Sequence, residues 1–259
     1  MKIYTKEELI IELRKIRDLG FVKNNRQGNH GGIGNTLEDL LGIEENNLPI
    51  PNAAEWELKT QRIGTSSLTT LFHSEPSPTA LRFVPQILLP KYGWRHQNAG
   101  LLYPESEMSF RQTISLTASD RGFKVSLNEA DRKVLISFNS SLVHSRHSAW
   151  LSGVENKIGL AELNPQPYWG YDDLASKAGT KLHNCFYVQA QLKRINGEEY
   201  YHYKKILKLS KFRIDNFLQG LREGFVLVDF DARTGHNHGT KFRLRQNCLH
   251  RLYSEVEEL

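Results

Sequence analysis

Apolar residues recur with helical spacing at the start of the chain. Leu9, Leu13 and Ile16 lie on one face of a helix. Because Thr5 is an N-cap signal, we expect this helix to run from there to about Asp18. Similar patterns predict helices at 36–42, 172–178 and 212–222.

Polar and apolar residues alternate from Glu55 to Thr60, which predicts a strand. Asn196-Gly197 is a strong hairpin signal between two further strands. The region 112–138 has the pattern of a three-stranded antiparallel meander. The remaining strands are predicted at 67–72, 186–194, 200–207, 225–231 and 240–245. The chain therefore has a mixed pattern in which strands dominate the middle.

A glycine-rich stretch, 28–35, leads into the predicted helix 36–42. Backbone N–H groups of such a loop can hold phosphate. The stretch has neither the lysine-serine pair of a nucleotide-binding P-loop nor the preceding strand of a dinucleotide site. It therefore gives little support to a nucleotide cofactor.

The composition is that of an ordinary folded protein. Its 259 residues are 39% hydrophobic and 24% charged, which predicts one large domain or two lobes that share a core. Cys185 and Cys248 are too few for a disulfide framework, and no stretch is apolar enough to cross a membrane. We therefore expect a cytoplasmic protein. The net charge of +5 mildly favours an anionic partner.

The triplet Glu57-Leu58-Lys59 is the first candidate for chemistry. Strand alternation places Glu57 and Lys59 on one face together with Glu55, so a carboxylate and an ammonium group can act on one phosphate. Taken alone, the triplet fits a solvated strand face with a cross-strand ion pair better. Its context is rarer, because Pro51-Asn52 precedes it and Glu38 lies on the helix that follows the glycine-rich stretch.

Several spaced segments together resemble a known family. Residues 28–41 are similar to its glycine stretch and catalytic helix, and Pro51–Thr60 is similar to its motif Pro-Asp-x4-Glu-x-Lys-Thr. Residues 231–243 resemble the segment that carries its base contacts. On these motifs the chain resembles the MvaI and BcnI restriction endonucleases, in the MutH-like branch of the PD-(D/E)XK nucleases. The match touches both ends of the chain and is weaker in the middle.

This resemblance implies a mixed α/β (α+β), restriction-endonuclease-like fold with a central mixed sheet. It implies a type II endodeoxyribonuclease that cuts a short, G·C-rich, nearly palindromic site in double-stranded DNA, with Mg²⁺ as cofactor and Mn²⁺ as a substitute. A monomer is expected, with a DNA methyltransferase as its functional but not physical partner. Residues 1–180 would form mainly the catalytic lobe and 181–259 mainly the recognition lobe, interleaved, with DNA in the cleft between them.

The resemblance also assigns catalytic roles. Glu57 would hold the metal and Lys59 would position the attacking water, while Glu38 would approach the same metal from its helix. The metal-binding Asp of the family is Asn52 in this chain, which removes a negative charge from the site. Asn52 would then be a neutral ligand, and Glu55 would supply the missing charge. An exposed helix glutamate is the alternative interpretation of Glu38.

Base-reading side chains are concentrated near the C-terminus. Arginine matches the O6 and N7 atoms of guanine, and Asp and His can discriminate G·C edges in the major groove. By resemblance the candidate base contacts are Asp231, Arg233, His236, His238 and Arg243. The two histidines could instead bind zinc, although no further ligand lies at finger spacing. A solvated loop is the other alternative.

Two other functions stay open at this point. One is a MutH-like endonuclease that nicks one strand in mismatch repair and needs partner proteins. The other is a sequence-specific DNA-binding protein that has lost cleavage because Asn52 replaces the family's Asp.

Overall fold

The computed structural model describes residues 4–26, 32–43 and 56–259. The chain folds as two compact units, each built from separate stretches. Unit 1 comprises Met1–Thr69, Ser176–Phe217 and Leu244–Leu259, and unit 2 comprises Thr70–Ala175 and Leu218–Arg243. The division of catalytic and recognition roles at residue 180 stays a prediction.

Helices and strands alternate irregularly along the chain, which confirms the predicted mixed α and β composition. The described elements are α1 (Lys6–Asp18), β1 (Val22–Lys23), α2 (Gly32–Leu41), β2 (Trp56–Arg62), β3 (Thr69–His73), α3 (Leu89–Tyr92), β4 (Trp94–Arg95), β5 (Met108–Ile114), β6 (Arg121–Asn128), β7 (Lys133–Val143), α4 (Ser148–Ile158), β8 (Tyr168–Gly170), α5 (Tyr171–Leu182), β9 (Asn184–Ile195), β10 (Glu198–Phe212), α6 (Ile214–Glu223), β11 (Val226–Arg233), β12 (His236–Asn237), β13 (Lys241–Leu244) and β14 (Tyr253–Glu258).

The sheet of unit 1 is built around the hairpin of β9 and β10. Asn196 and Gly197 form its turn with φ of 52° and 81°, as the predicted Asn-Gly hairpin requires. On the other edge of β10, β1 and β14 pair with it in antiparallel fashion. Strand β2 pairs with β9 in parallel. The hairpin prediction is confirmed.

Helices α1 and α2 bury their apolar faces in the core of unit 1. Thr5 caps α1 in a capping box with Glu8, as its sequence predicts. Trp56 and Leu58 of β2 belong to the same core cluster as Ile33 and other apolar residues of both helices. The face of β2 that carries Trp56 and Leu58 is therefore the buried apolar face.

Helix α2 begins at Gly32, four residues earlier than the predicted start at Thr36. Glycine is a poor helix former, so the sequence pattern predicted a loop over this stretch. A Cβ atom at Gly32 would lie only 2.9 Å from Nδ2 of the buried Asn24, and one at Gly34 would lie 3.3 Å from Oγ1 of Thr60. The glycines therefore let α2 approach its neighbours. Residues 28–31 lie outside the described part.

Unit 2 contains two sheets, and their pairing corrects the predicted meander. Strands β6, β7 and β8 form one sheet, and β3, β13, β11, β5 and β4 follow one another in the other, with β12 beside β11. Strands β6 and β7 pair as predicted, but β5 pairs with the distant β11. This pairing puts the ring of Phe110 5.5 Å from that of Phe230 in the core. Partners so far apart along the chain leave no local signal.

Several elements differ from their predictions in length or were not predicted. Helix α5 extends four residues beyond the predicted end at Ala178, and α6 begins at Ile214 instead of Phe212. Helix α4 and strand β14 were not predicted from the sequence. Within the described ranges, every helix is too short or too polar to cross a membrane.

Candidate active site

Glu57 and Lys59 lie side by side on the polar face of β2. Oε1 of Glu57 is 2.7 Å from Nζ of Lys59. The side chain of Glu57 is only 2% exposed, and that of Lys59 is 15% exposed. The alternation of the strand therefore brings the two predicted catalytic groups into contact, in a site largely closed to water.

A lysine that the sequence interpretation missed completes this cluster. Nζ of Lys181, in the last turn of α5, is 3.1 Å from Oε2 of Glu57. The helix was predicted to end before this residue. One signal was present: Leu174, Ala178 and Leu182 form the buried stripe of α5, and Lys181 is seven positions after Leu174, which is the same face of a helix.

Neutral polar groups lie near the cluster on other strands of the same sheet. Cys185 of β9 is directly opposite Glu57 in the parallel register. Burial raises the pKa of the Cys185 thiol to about 12. Burial also raises the pKa of the Tyr253 hydroxyl, which interacts with Cys185. Both groups are therefore uncharged near neutral pH, so the surroundings of the Glu57 carboxylate have low polarity on this side.

The polar face of β2 continues at Gln61, which also was not predicted. The hydroxyl of Tyr187 donates a hydrogen bond to Oε1 of Gln61, and the backbone N–H of Asn247 donates to the same atom at 3.2 Å. Nε2 of Gln189 donates to Oδ1 of Asn247 at 2.6 Å. This network fixes the end of β2 beyond Lys59.

The other predicted catalytic residues are placed less directly. Glu38 is half-buried on α2, whose apolar residues pack on the face of β2 that carries Leu58. Its approach to the metal stays a prediction. Asn52 and Glu55 lie outside the described residues, so their roles stay predictions as well.

Unit 2 carries a layer of alternating charges on β11 and its neighbours. Asp231 lies 3.3 Å from Nζ of Lys241 and 3.4 Å from Nε of Arg111. Nη1 of Arg243 donates to Oδ2 of the buried Asp229 at 3.2 Å. The predicted base contacts Asp231 and Arg243 are thus held by ion pairs with neighbouring strands.

Arg233 has two partners that the sequence did not reveal. Its Nη1 donates to Oε1 of the buried Glu107 at 2.9 Å. Its guanidinium group also lies over the ring of Tyr103, 4.5 Å from the centroid. A buried carboxylate and an aromatic ring therefore hold this arginine in one orientation.

His236 and His238 are exposed at the tip that follows β11, and their rings are 4.3 Å apart. Among the described residues, no group of three or more His, Cys, Asp or Glu side chains could hold a metal ion. The alternative of a zinc site at this tip therefore gains no support within those ranges.

Comparisons with known proteins agree with this architecture. The model of the MvaI/BcnI restriction endonuclease family matches residues 10–253. A solved structure described as a complex of restriction endonuclease MvaI with cognate DNA substrate has a TM-score of 0.77 at 24% identity, covering 98% of this chain and 99% of that one. MvaI without DNA gives a TM-score of 0.53 at 25% identity, covering 100% and 99%. No curated protein sequence matches the chain. The family match spans most of the 259 residues, and the chain therefore belongs to the MvaI/BcnI restriction endonuclease family.

Proposed function

We propose that this restriction endonuclease cuts a short, G·C-rich, pseudopalindromic site in double-stranded DNA by metal-dependent hydrolysis of a phosphodiester. The observation that carries the proposal is the buried pair of Glu57 and Lys59 on one strand face. A buried carboxylate beside an ammonium group is suited to phosphate chemistry and is costly as a purely structural feature.

One carboxylate oxygen of Glu57 is suited to bind a hard divalent cation. Oε2 of Glu57 is buried and accepts no hydrogen bond from a described residue, so this oxygen has acceptor capacity that a metal can use. Mg²⁺ is usually bound through one or two carboxylates and keeps several waters. Glu57 would hold it, with Asn52 and Glu55 as the other proposed ligands. Mn²⁺ has similar ligand preferences.

The metal held by Glu57 and the ammonium group of Lys59 have separate tasks in this mechanism. A bound Mg²⁺ would supply Lewis acidity at the phosphate and lower the pKa of a water molecule. The Nζ group of Lys59 donates hydrogen bonds to the attacking water or to the developing negative charge on the phosphate oxygens. Attack of the water on phosphorus breaks the bond to the 3′ oxygen, which leaves and takes up a proton; by resemblance the ends are a 5′-phosphate and a 3′-hydroxyl.

DNA recognition is proposed for the charged layer of unit 2. MvaI has been solved with its cognate DNA substrate, which supports double-stranded DNA as the partner of this chain. Arg233 and Arg243 would donate to O6 and N7 of guanine, and Asp231 would accept from N4 of cytosine. The exposed His236 and His238 would contact base edges beside them. Such a set of side chains favours G·C pairs.

We further propose that the enzyme acts as a monomer in the cytoplasm, with a DNA methyltransferase that protects the host genome. The MutH-like nickase and the cleavage-deficient binding protein remain the alternatives, and both make different predictions. A nickase needs activating partners. A binding protein leaves DNA intact in Mg²⁺ and binds in a salt-sensitive manner.

The test is incubation of the purified chain with unmethylated phage DNA in Mg²⁺, followed by sequencing of the fragment ends. We expect discrete ends that share a short G·C-rich motif, and none with Lys59→Ala. Single-strand nicks alone would favour the MutH-like function. Intact DNA together with specific binding would favour a protein that has lost cleavage.

A further inference from the structure

The buried carboxylate of Glu57 has one ammonium group at each oxygen. Lys59 lies 2.7 Å from Oε1 and Lys181 lies 3.1 Å from Oε2. Oε2 accepts no hydrogen bond from a described residue. Lys181 and Oε2 thus form an ion pair.

A cation that binds Glu57 must take one of these oxygens. Mg²⁺ lies about 2.0–2.1 Å from its oxygen ligands, so it would enter the space that faces the ammonium group at Oε2. Like charges at such a separation repel strongly where little water screens them. Lys181 and the metal therefore cannot share this oxygen.

Lys181 is the partner that is able to leave. It is 23% exposed and lies in the last turn of α5, and lysine has a flexible four-carbon stem. Lys59 belongs to β2, which pairs with β9, and is less exposed, at 15%. A change of side-chain rotamers can carry the ammonium group of Lys181 away from Oε2 toward solvent.

We propose that Lys181 occupies the metal-binding oxygen of Glu57 in the metal-free enzyme and withdraws when the metal binds. This inference rests on the proposed function, because it takes Glu57 as the metal ligand. Lys181 is then a positioning residue. It balances the buried charge before the metal arrives, and it competes with the metal for Oε2.

The test measures Mn²⁺ binding to the whole chain without DNA, from the electron paramagnetic resonance signal of free Mn²⁺. Lys181→Met removes the competing charge and keeps the apolar stem, so we expect affinity to rise at least about tenfold. Lys181→Arg keeps the charge and should bind like the wild type. Lys177→Met is the matched control, because Lys177 is exposed one turn earlier on α5 and should also leave affinity unchanged.

A second measurement covers the case in which Lys181→Met fails to fold. The ¹³Cε signal of Lys181, assigned by its loss in Lys181→Arg, should shift when Mg²⁺ is added to the wild type and should not shift in Glu57→Gln. Two results would overturn the inference: unchanged Mn²⁺ affinity in a folded Lys181→Met variant, or a Lys181 ¹³Cε chemical shift that stays the same in saturating Mg²⁺.

The outcomes for Lys181 and for the proposed function can be separated. DNA cleavage by the wild type, together with unchanged Mn²⁺ affinity in Lys181→Met, overturns the competition alone. Raised affinity in Lys181→Met, together with intact phage DNA in Mg²⁺, upholds the competition and overturns cleavage alone.

Discussion

Glu107→Gln tests whether a buried carboxylate positions the predicted base contact Arg233. Glu107 has a side chain only 6% exposed and accepts a hydrogen bond from Nη1 of Arg233 at 2.9 Å. The substitution keeps the size and an acceptor oxygen and removes the negative charge. The ring of Tyr103 still lies under the guanidinium group, so Arg233 keeps one of its two partners.

The expected cost follows from this geometry. Hydrogen bonds to charged groups contribute about 1.5–3 kcal/mol to stability. Arg233 is 32% exposed, so water compensates part of the loss and an amide oxygen compensates another part. We therefore expect the free energy of unfolding in urea to fall by about 1 kcal/mol. If the looser Arg233 costs the same free energy in base recognition, discrimination against a changed G·C pair should fall roughly fivefold.

Glu105→Gln is the matched control. Glu105 also pairs with an arginine, Arg95, at 2.7 Å, but the two side chains are 76% and 58% exposed. Exposed pairs contribute little to stability, so this variant should unfold at the same urea concentration as the wild type. Urea unfolding and binding to DNA with single base-pair changes are measured for both variants in Ca²⁺. If Glu107→Gln and Glu105→Gln behave alike, Glu107 does not position Arg233.

Three further predictions concern other parts of the chain. Gly32→Ala should destabilise the fold by about 1–3 kcal/mol, because its Cβ would lie 2.9 Å from Nδ2 of Asn24. Gly153→Ala in α4 meets no atom within 4 Å and should stabilise the fold by about 0.5–1 kcal/mol. Thermal unfolding compares the two variants, and equal shifts in melting temperature would contradict the packing argument. Burial raises the pKa of the Cys185 thiol to about 12, so the thiol is protonated at pH 8 and should react with a thiol reagent only after unfolding. Rapid labelling of Cys185 in the native chain, seen by mass spectrometry, would contradict this prediction. Asn52→Asp should increase cleavage and Glu55→Ala should abolish it if Glu55 supplies the missing charge; a large gain from Asn52→Asp with no effect of Glu55→Ala would eliminate Glu55 as a ligand.

Local signals in the sequence predicted those parts of the fold that depend on near neighbours. The capping box at Thr5 fixed the start of α1, and the Asn196-Gly197 turn defined the hairpin of β9 and β10. Alternation placed Glu57 and Lys59 on the same face of β2. In each case the interacting residues lie within a few positions of one another, so a short window of sequence contains the whole cause.

Contacts between distant segments were not predictable in the same way. Glu107 and Arg233 are 126 positions apart, and neither residue type indicates its partner. Strand β5 has a normal strand pattern, yet its pairing with β11 depends on how Phe110 and Phe230 pack in the core. Lys181 was missed because the helix pattern weakens after Ala178, although packing of Leu182 continues the helix. Such features depend on the folded sheet as a whole.

The burial of Glu57 connects the fold to the chemistry. Strand alternation decides which face Glu57 occupies, but the folded sheet, in which β2 pairs with β9, leaves its side chain only 2% exposed. A carboxylate in such a place requires opposite charges nearby, and well-packed apolar residues would often be as stable or more stable. Stability alone therefore gives no reason for a buried glutamate between Lys59 and Lys181. The need for a charged group that binds a cation does give a reason for a buried glutamate. The contact of Lys181 with Oε2 therefore bears on the reaction as well as on the fold.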